Sequence, residues 1–402
     1  MRILIPYAYY HPEQCAGLFV IDDTTEEAVK QRIESLITVP TPTRNVVPGA
    51  KWDSDEILCD GKVMVHRFRM YGEGKNPVLR ALRYLLCEIV QLHYMLWKKY
   101  DVAFIDSTPP IQGLKLPIVR LLRKKPVVYN AQDLFPETLS GTGLAKQGGL
   151  LWKIGMWVSN VTFRNSDKII AISNDIKRSM VARGVPAEKI EVVYNWVDEK
   201  TVQPVAKEDN PLFEEFRLDR KKFTVIYAGN LGNAQNIGIV LDGAKGLPEV
   251  QFAVFGSGGL ENDVRKRISD ERLTNVHLNP LQPVERVKYV YSLGDACIVS
   301  CKEGLGGSAM PSKSWSIMSC GRPVVASFDE GELKEILENN NCGVFSHAGN
   351  VKEFVAAIRQ LATNREKCEE MGKNARQFIL NNLTKEVGAK KYVDIIKSVV
   401  KK

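Results

Sequence analysis

Short apolar runs that end in polar residues alternate with longer stretches of helical period along nearly the whole chain. In the first half, RILIPYAY (2–9), KVMVHRFRM (62–70), DVAFID (101–106), PVVYN (126–130), KIIAIS (168–173) and IEVVYN (190–195) read as strands. Helical patterns fill 24–35, 78–100, 111–125, 149–165 and 174–183. Strands that are apolar throughout, separated by helices, predict a parallel sheet covered on both faces. Between 198 and 221 the sequence turns polar and irregular, which predicts a linker over 201–222. The alternation then restarts, with strands at 223–228, 251–255, 275–278, 296–300, 323–327 and 342–345. Helices are expected at 234–245, 260–269, 284–292, 312–320, 332–338 and from 350, and the charged amphipathic stretches 365–381 and 384–400 close the chain. The expected organisation is an α/β domain over 1–200, a second over 223–380, and a C-terminal helix (381–402) packing back on the first domain. Two doubly wound domains facing each other bind ligands in the cleft outside the carboxyl ends of their strands.

The length of 402 residues suits two domains of ~100–200 residues each. Fifty-five Lys and Arg against 47 Asp and Glu leave a net charge of +8. That balance favours an anionic partner, either a phosphorylated substrate or an acidic membrane surface, and is also met by a mildly basic surface with no partner. No nucleic-acid module is recognisable, and the aromatics are not interleaved in a basic run. None of the eight cysteines forms a Cys-x-x-Cys pair, and several sit in apolar runs, so core positions in a reducing cytoplasm are expected. The five histidines lack zinc-ligand spacing, and no metal site is expected. The N-terminal MRILIPYAYY reads as a strand rather than a signal peptide, and no window approaches eighteen uncharged apolar residues. Asp53-Ser-Asp55 lies in a polar run and reads as loop.

Three stretches of the second half carry candidate chemistry. VIYAGNLGNAQN (225–236) and VFGSGGLENDVRKR (254–267) each end a strand in glycines and start a helix. Such turns expose backbone N–H groups, which suits a phosphate, although a tight turn alone also explains each. In EGLGGSAMPSKSW (303–315), Pro311 fits a first helical turn, Ser312 can cap it, and Lys313 adds a cation where the helix dipole is already positive. That placement is sensible if an anion sits there.

Together these stretches resemble the C-terminal domain of GT-B glycosyltransferases of family 4, two Rossmann-like domains facing a cleft. The nearest branch is the bacterial one that builds O-antigen, capsule or exopolysaccharide units, including N-acetylfucosamine transferases. NAQDLFPETLSGTGL (130–144) resembles that branch's Asp-hydrophobic-aromatic-Pro-Glu segment. The likeness covers about 125–360, and the first 120 residues match in outline. It implies a retaining transfer from a nucleoside-diphosphate sugar, most often a UDP-sugar, with no bound metal or cofactor. It places Gly229, Asn230 and Gly232 near the diphosphate. Gly256, Ser257 and Gly258 would lie near the base with Leu281 and Gln282. Gly306, Gly307, Met310, Pro311, Ser312 and Lys313 would lie near phosphates and sugar. Gly17, after the first strand, is where such enzymes let backbone approach the donor. Many relatives carry two glutamates seven residues apart around this helix, whereas this chain has Ser308 and Ser316, leaving Glu303 as a displaced candidate. Asn230, Asn233 and Gln235 stand where relatives place an arginine and a lysine. The diphosphate charge then falls to Lys313 first, with Lys302 or Arg322 and backbone dipoles as further partners, through contacts worth ~1.5–3 kcal/mol each in a desolvated cleft.

Asp133 is the expected group beside the acceptor hydroxyl, as base or as orienting carboxylate, with Glu137 second; an N-capping aspartate is the alternative. Apolar and aromatic residues with flanking cations in 78–100, 114–125 and 150–164 suit docking at an anionic membrane or burial within the domain. The expected partners are thus a UDP-sugar donor, a polyprenyl-diphosphate-linked saccharide acceptor and the inner face of the cell membrane. The expected activity is hexosyl or N-acetylhexosaminyl transfer, with a sugar-nucleotide epimerase or a non-catalytic nucleotide binder as the competing readings.

Overall fold

The computed structural model describes residues 1–15, 17–47, 49–72, 76–137, 146–306 and 310–400. The chain divides into two compact units, one of Met1–Tyr194 with Glu386–Lys402 and one of Asn195–Lys385. No helix among the described residues is long and apolar enough to cross a membrane.

The first unit holds an eight-stranded sheet of β1 (Arg2–Pro6), β2 (Glu34–Pro40), β3 (Asp55–Leu58), β4 (Val63–Phe68), β5 (Val102–Asp106), β6 (Val127–Ala131), β7 (Lys168–Ala171) and β8 (Ile190–Val192). Its order is β3-β4-β2-β1-β5-β6-β7-β8. Only β3 runs antiparallel, against β4. The order reverses between β1 and β5, where Ile3 pairs with Val102. That is the switch point at which a crevice opens beyond the carboxyl ends of the strands. Helices Pro77–Trp97, Leu116–Arg123 and Leu150–Asn165 pack side by side. Gly113 permits the closest approach, because a Cβ there would fall 1.7 Å from Thr162 Oγ1.

The second unit holds six parallel strands, β9 (Thr224–Asn230), β10 (Gln251–Ser257), β11 (Val276–Asn279), β12 (Ala296–Ser300), β13 (Val324–Phe328) and β14 (Gly343–His347), ordered β11-β10-β9-β12-β13-β14. Val225, Tyr227, Phe252, Val254 and Phe354 centre its core. Its switch lies between β9 and β12, where Val225 pairs with Ala296.

Several elements depart from the sequence expectation. The helix expected at 24–35 lies at Leu18–Lys30, and the residues after it form β2. β2 is buried on both faces and lacks the polar–apolar alternation that betrays a strand. β3 is a short, largely exposed edge strand that begins at Asp55, whose carboxylate bonds His66 Nδ1 at 2.6 Å. The expected helix at 234–245 starts at Gly238, after a 3-10 turn that Asn236 ends in the left-handed region. Residues 201–222 are built into the second unit rather than free. Leu212 and Phe213 are buried, Asn210 Nδ2 donates to the Tyr289 carbonyl at 2.8 Å, and Lys207 pairs with Asp295 at 2.6 Å.

The Lys385–Ser398 helix buries Tyr392, Val393 and Ile396. Tyr392 packs edge-on to Phe104 and donates its hydroxyl to Asn130 Oδ1 at 2.9 Å. Gln132 Nε2 also reaches that oxygen, at 3.0 Å. Tyr392→Phe should therefore cost about 1 kcal/mol, one net hydrogen bond with its acceptor still served. Urea denaturation followed by circular dichroism measures this, and an unchanged midpoint would refute the role of the hydroxyl.

Candidate functional site

All six strands of the second unit run the same way, so their carboxyl ends share one edge. β9 is buried through Tyr227 and then emerges at Ala228, Gly229 and Asn230. Gly229 has a φ of +146°, a conformation side chains resist. Gly256 lies opposite it on β10, and a Cβ at 256 would fall 2.6 Å from the Gly229 carbonyl oxygen. Gly258 has a φ of +155°, and a Cβ there would stand 2.5 Å from Asn230 Oδ1. The two turns are stitched together where Leu231 N–H donates to the Ser257 carbonyl and Leu260 N–H to the Leu231 carbonyl, both at 2.9 Å. Ser257 is exposed at the rim. A Cβ on Gly232 would be 2.9 Å from Gln235 Oε1, a buried acceptor with no hydrogen-bond partner among the described residues.

The loop after β12 joins this edge across the switch. Ser300 Oγ donates to the Gln235 carbonyl at 2.6 Å and Lys302 N–H to the Ala234 carbonyl at 2.9 Å. Asp329, just past β13, accepts from Gly304 N–H at 3.1 Å and Gly306 N–H at 2.7 Å. Gly306 is buried against the Phe328 ring and Met310 is buried, whereas Glu303 is exposed. Gly307 lies outside the described residues.

Lys313 opens the Lys313–Ser319 helix. Its Nζ sits 4.8 Å from the centre of the Tyr227 ring, and a Cβ on Gly229 would stand 3.0 Å from it. Tyr227 is itself held by its hydroxyl on the Asn230 carbonyl at 2.7 Å. Among the described residues no carboxylate pairs with Lys313, and burial lowers its pKa to about 8. Ser312 is exposed and its side chain makes no capping bond, contrary to expectation. Pro311 instead accepts from Ser314 N–H through its carbonyl. With seven residues the helix has little dipole, so the positive character of this edge comes from the ammonium. Ser316 is half-buried one turn on. Leu281 and Gln282 follow β11 on the same edge; Leu281 is half-exposed, and Gln282 Oε1 accepts from Arg286, which Glu215 pairs.

In the first unit, a Cβ on Gly17 would lie 3.0 Å from the Tyr7 hydroxyl, just beyond β1. Asp133 follows β6, and desolvation raises its carboxyl pKa. Glu137 is not a free base, because its carboxylate is held by Arg183. Asp106, at the end of β5 beside the switch, is buried and its pKa is pushed up to about 7 by desolvation. Asn130 Nδ2 donates to it at 2.8 Å and Thr108 N–H at 3.2 Å, and the charge of Asp133 adds to the upward push.

The family described as Glycosyltransferase Family 4 matches residues 22–201, and that described as Glycosyl transferases group 1 matches residues 208–378. Each unit thus matches one glycosyltransferase family model, and the two parallel-sheet α/β units have the architecture of the GT-B fold. It is 23% identical to the probable glycosyltransferase WbjE of Pseudomonas aeruginosa over 61% of this chain and 62% of that protein. It is 27% identical to the putative colanic acid biosynthesis glycosyl transferase WcaI of Escherichia coli K12 over 75% of this chain and 77% of that protein. The chain thus spans less than two thirds of WbjE. Among solved structures, Anabaena HepE in complex with UDP superposes with a TM-score of 0.74 at 18% identity, covering 99% of this chain and 100% of that one.

The sequence singled out the glycine turns, Gln235 and Lys313 but not Tyr227, Asp329 or Asp106. Asp106 had one signal, a carboxylate ending the apolar run DVAFID. Gly256→Ala should destabilise the second unit by about 2 kcal/mol, because backbone oxygen cannot retreat from the added carbon. A melting temperature equal to wild type would show that the turn relaxes.

Proposed function

We propose that the second unit grips the diphosphate of a UDP-sugar and that the chain transfers its glycosyl group, with retention, to a lipid-linked saccharide. The observation that carries this reading is the Lys313 ammonium, drawn out of water with no carboxylate paired to it among the described residues, against the backbone of Gly229 at the switch point. A cation in that state gains most from an anion that arrives with its own charge. The Gly229–Gly232 and Gly256–Gly258 turns supply bare backbone beside it. Because Lys313 provides the positive charge, the reading needs no divalent ion.

Asp133 and Asp106 stand at the corresponding edge of the first unit. Asp133 orients the acceptor hydroxyl, and the leaving phosphate takes the proton on the same face. Gly17 in the first unit, and Glu303 and Ser316 in the second, are each unit's own candidates for contact with the donor sugar. The relatives' names support a role in surface polysaccharide of the O-antigen, capsule or exopolysaccharide kind, with a hexose or N-acetylhexosamine such as N-acetylfucosamine transferred. The acceptor is a polyprenyl-diphosphate-linked saccharide, met at the anionic inner face of the cell membrane.

UDP at a hundred times its Kd should stabilise the protein by ~2.7 kcal/mol, seen as a raised melting temperature. Lys313→Ala should lose most of that shift while melting normally without ligand. No shift with UDP or any UDP-sugar would defeat the proposal.

The pH dependence gives a separate check. Burial lowers the Lys313 pKa in the folded chain, so the unfolded chain binds more protons above about 8, and stability from this group rises with pH through that window. Diphosphate binding has the opposite sign, because it needs the proton. UDP affinity should fall roughly tenfold between about pH 7 and about pH 9 in the wild type and stay level in Lys313→Arg, whose charge persists. Parallel profiles in isothermal titration would remove Lys313 from the contact.

A further inference from the structure

The Pro77–Trp97 helix is amphipathic the wrong way round for a soluble domain. Its buried side carries Arg83, Glu88 and Gln91. Its outward side carries Leu79, Leu82, Leu85, Ile89 and Trp97, all exposed. A surface helix ordinarily turns its apolar stripe to the core. Here a buried polar knot sets the orientation. Lys115 Nζ donates to Glu88 Oε2 at 2.6 Å, to Gln91 Oε1 at 2.8 Å and to Gln112 Oε1 at 3.0 Å. Gln91 Nε2 in turn donates to the Tyr7 carbonyl at 2.9 Å, and Gln112 Nε2 to the Thr108 carbonyl at 2.7 Å. Rotating the helix to bury its leucines would strand all of these groups.

The neighbouring helices continue the apolar face. Of twenty-five large apolar side chains exposed among the described residues, seven lie on Pro77–Trp97, three on Leu116–Arg123 and four on Leu150–Asn165. The last group includes Trp157 at 60% exposure, and Trp97 on the first helix is 73% exposed. Among the described residues of the second unit the exposed large apolar side chains are Leu281, Val284 and Leu380. Charge on these three helices has one sign. Their single carboxylate is Glu88, which is buried and paired with Lys115. Lys98, Lys99, Lys124, Lys153 and Arg164 lie exposed on the helices or directly after them.

We propose that these three helices form a docking face that lies on an anionic lipid bilayer, with the leucines and two tryptophans in the headgroup region and the cations against lipid phosphates. An apolar face with tryptophans and flanking cations is the pattern of an interfacial helix, and no described helix is long and apolar enough to span. A second copy of the chain is the poorer occupant, because the same face twice would set cation against cation with no exposed carboxylate on these helices to answer. This extends the reading of a lipid-linked acceptor, yet it is measured without donor or acceptor, so it stands or falls separately from UDP binding.

The test is co-sedimentation with vesicles of phosphatidylcholine alone and of phosphatidylcholine doped with phosphatidylglycerol. The wild type should sediment with the anionic vesicles, less with the neutral ones, and less again as salt is raised. Leu82→Glu with Ile89→Glu should weaken binding by more than roughly tenfold, and Leu121→Glu with Trp157→Glu should do the same on the other helices. Each pair should keep its UDP-induced melting shift. Quenching of wild-type tryptophan fluorescence by brominated phosphatidylglycerol needs no variant and should be strong. Failure of the wild type to sediment or be quenched overturns the proposal. So does equal sedimentation of the variants, or a dimer dispersed by the variants in a protein that ignores vesicles.

Discussion

A lysine ammonium that has lost most of its water, and that pairs with no carboxylate among the described residues, organises the carboxyl edge of the second sheet. Lys313 is tolerated there because the Tyr227 ring faces it and because Gly229 has no side chain to displace it. The ring is fixed by its hydroxyl on the Asn230 carbonyl, and the glycine is held in an unusual conformation by the turn it opens. Gly256 and Gly258 must then be bare as well, since the backbone of the first turn fills the space a Cβ would need. The arrangement is a chain of dependencies that begins with one charge and ends in three glycines. It leaves a cation under-solvated in the free protein, which is the condition for a strong gain on meeting a phosphate.

The first unit repeats the topological device with different chemistry. Its switch point is lined by Asp106, held by Asn130, and Asn130 in turn is held by Tyr392 from the C-terminal helix. Acidic groups with raised pKa values therefore stand at one sheet edge and a cation with a lowered one at the other. Burial is the common cause, acting against whichever form carries charge. The same unit sends polar side chains inward along the Pro77–Trp97 helix, and the Lys115 knot holds Glu88 and Gln91 among them. The apolar residues that would normally form that helix's core side are left outside as a consequence.

Much of the architecture was legible in the chain. Runs such as TVIYA and ACIVS are apolar on both faces, and only strands of a covered parallel sheet tolerate that over so few residues. Glycines directly after such runs mark the carboxyl edge, and Lys313 beside Pro311 stood out as a cation at a helix start. These signals are local, set by residues within a turn or two. β2 and β3 escaped because one has no alternation and the other is held only by pairing with β4. Residues 201–222 look like a linker because their buried members, Asn210, Leu212 and Phe213, are few and interrupted by charge.

Tertiary structure alone decided which groups meet. Periodicity says that the Pro77–Trp97 helix has two faces, but not which one meets the sheet. That choice rests on Lys115, which lies 27 residues beyond Glu88 and reaches it only after the chain has crossed the sheet and returned. Asp329 holding Gly304 and Gly306, and Tyr227 under Lys313, are likewise pairings across crossovers. Hydrophobic period and turn residues are properties of neighbours in sequence, so the chain by itself determined the elements and their edges. Desolvation of a charge depends on atoms packed from distant segments, and only the folded sheet assembles them.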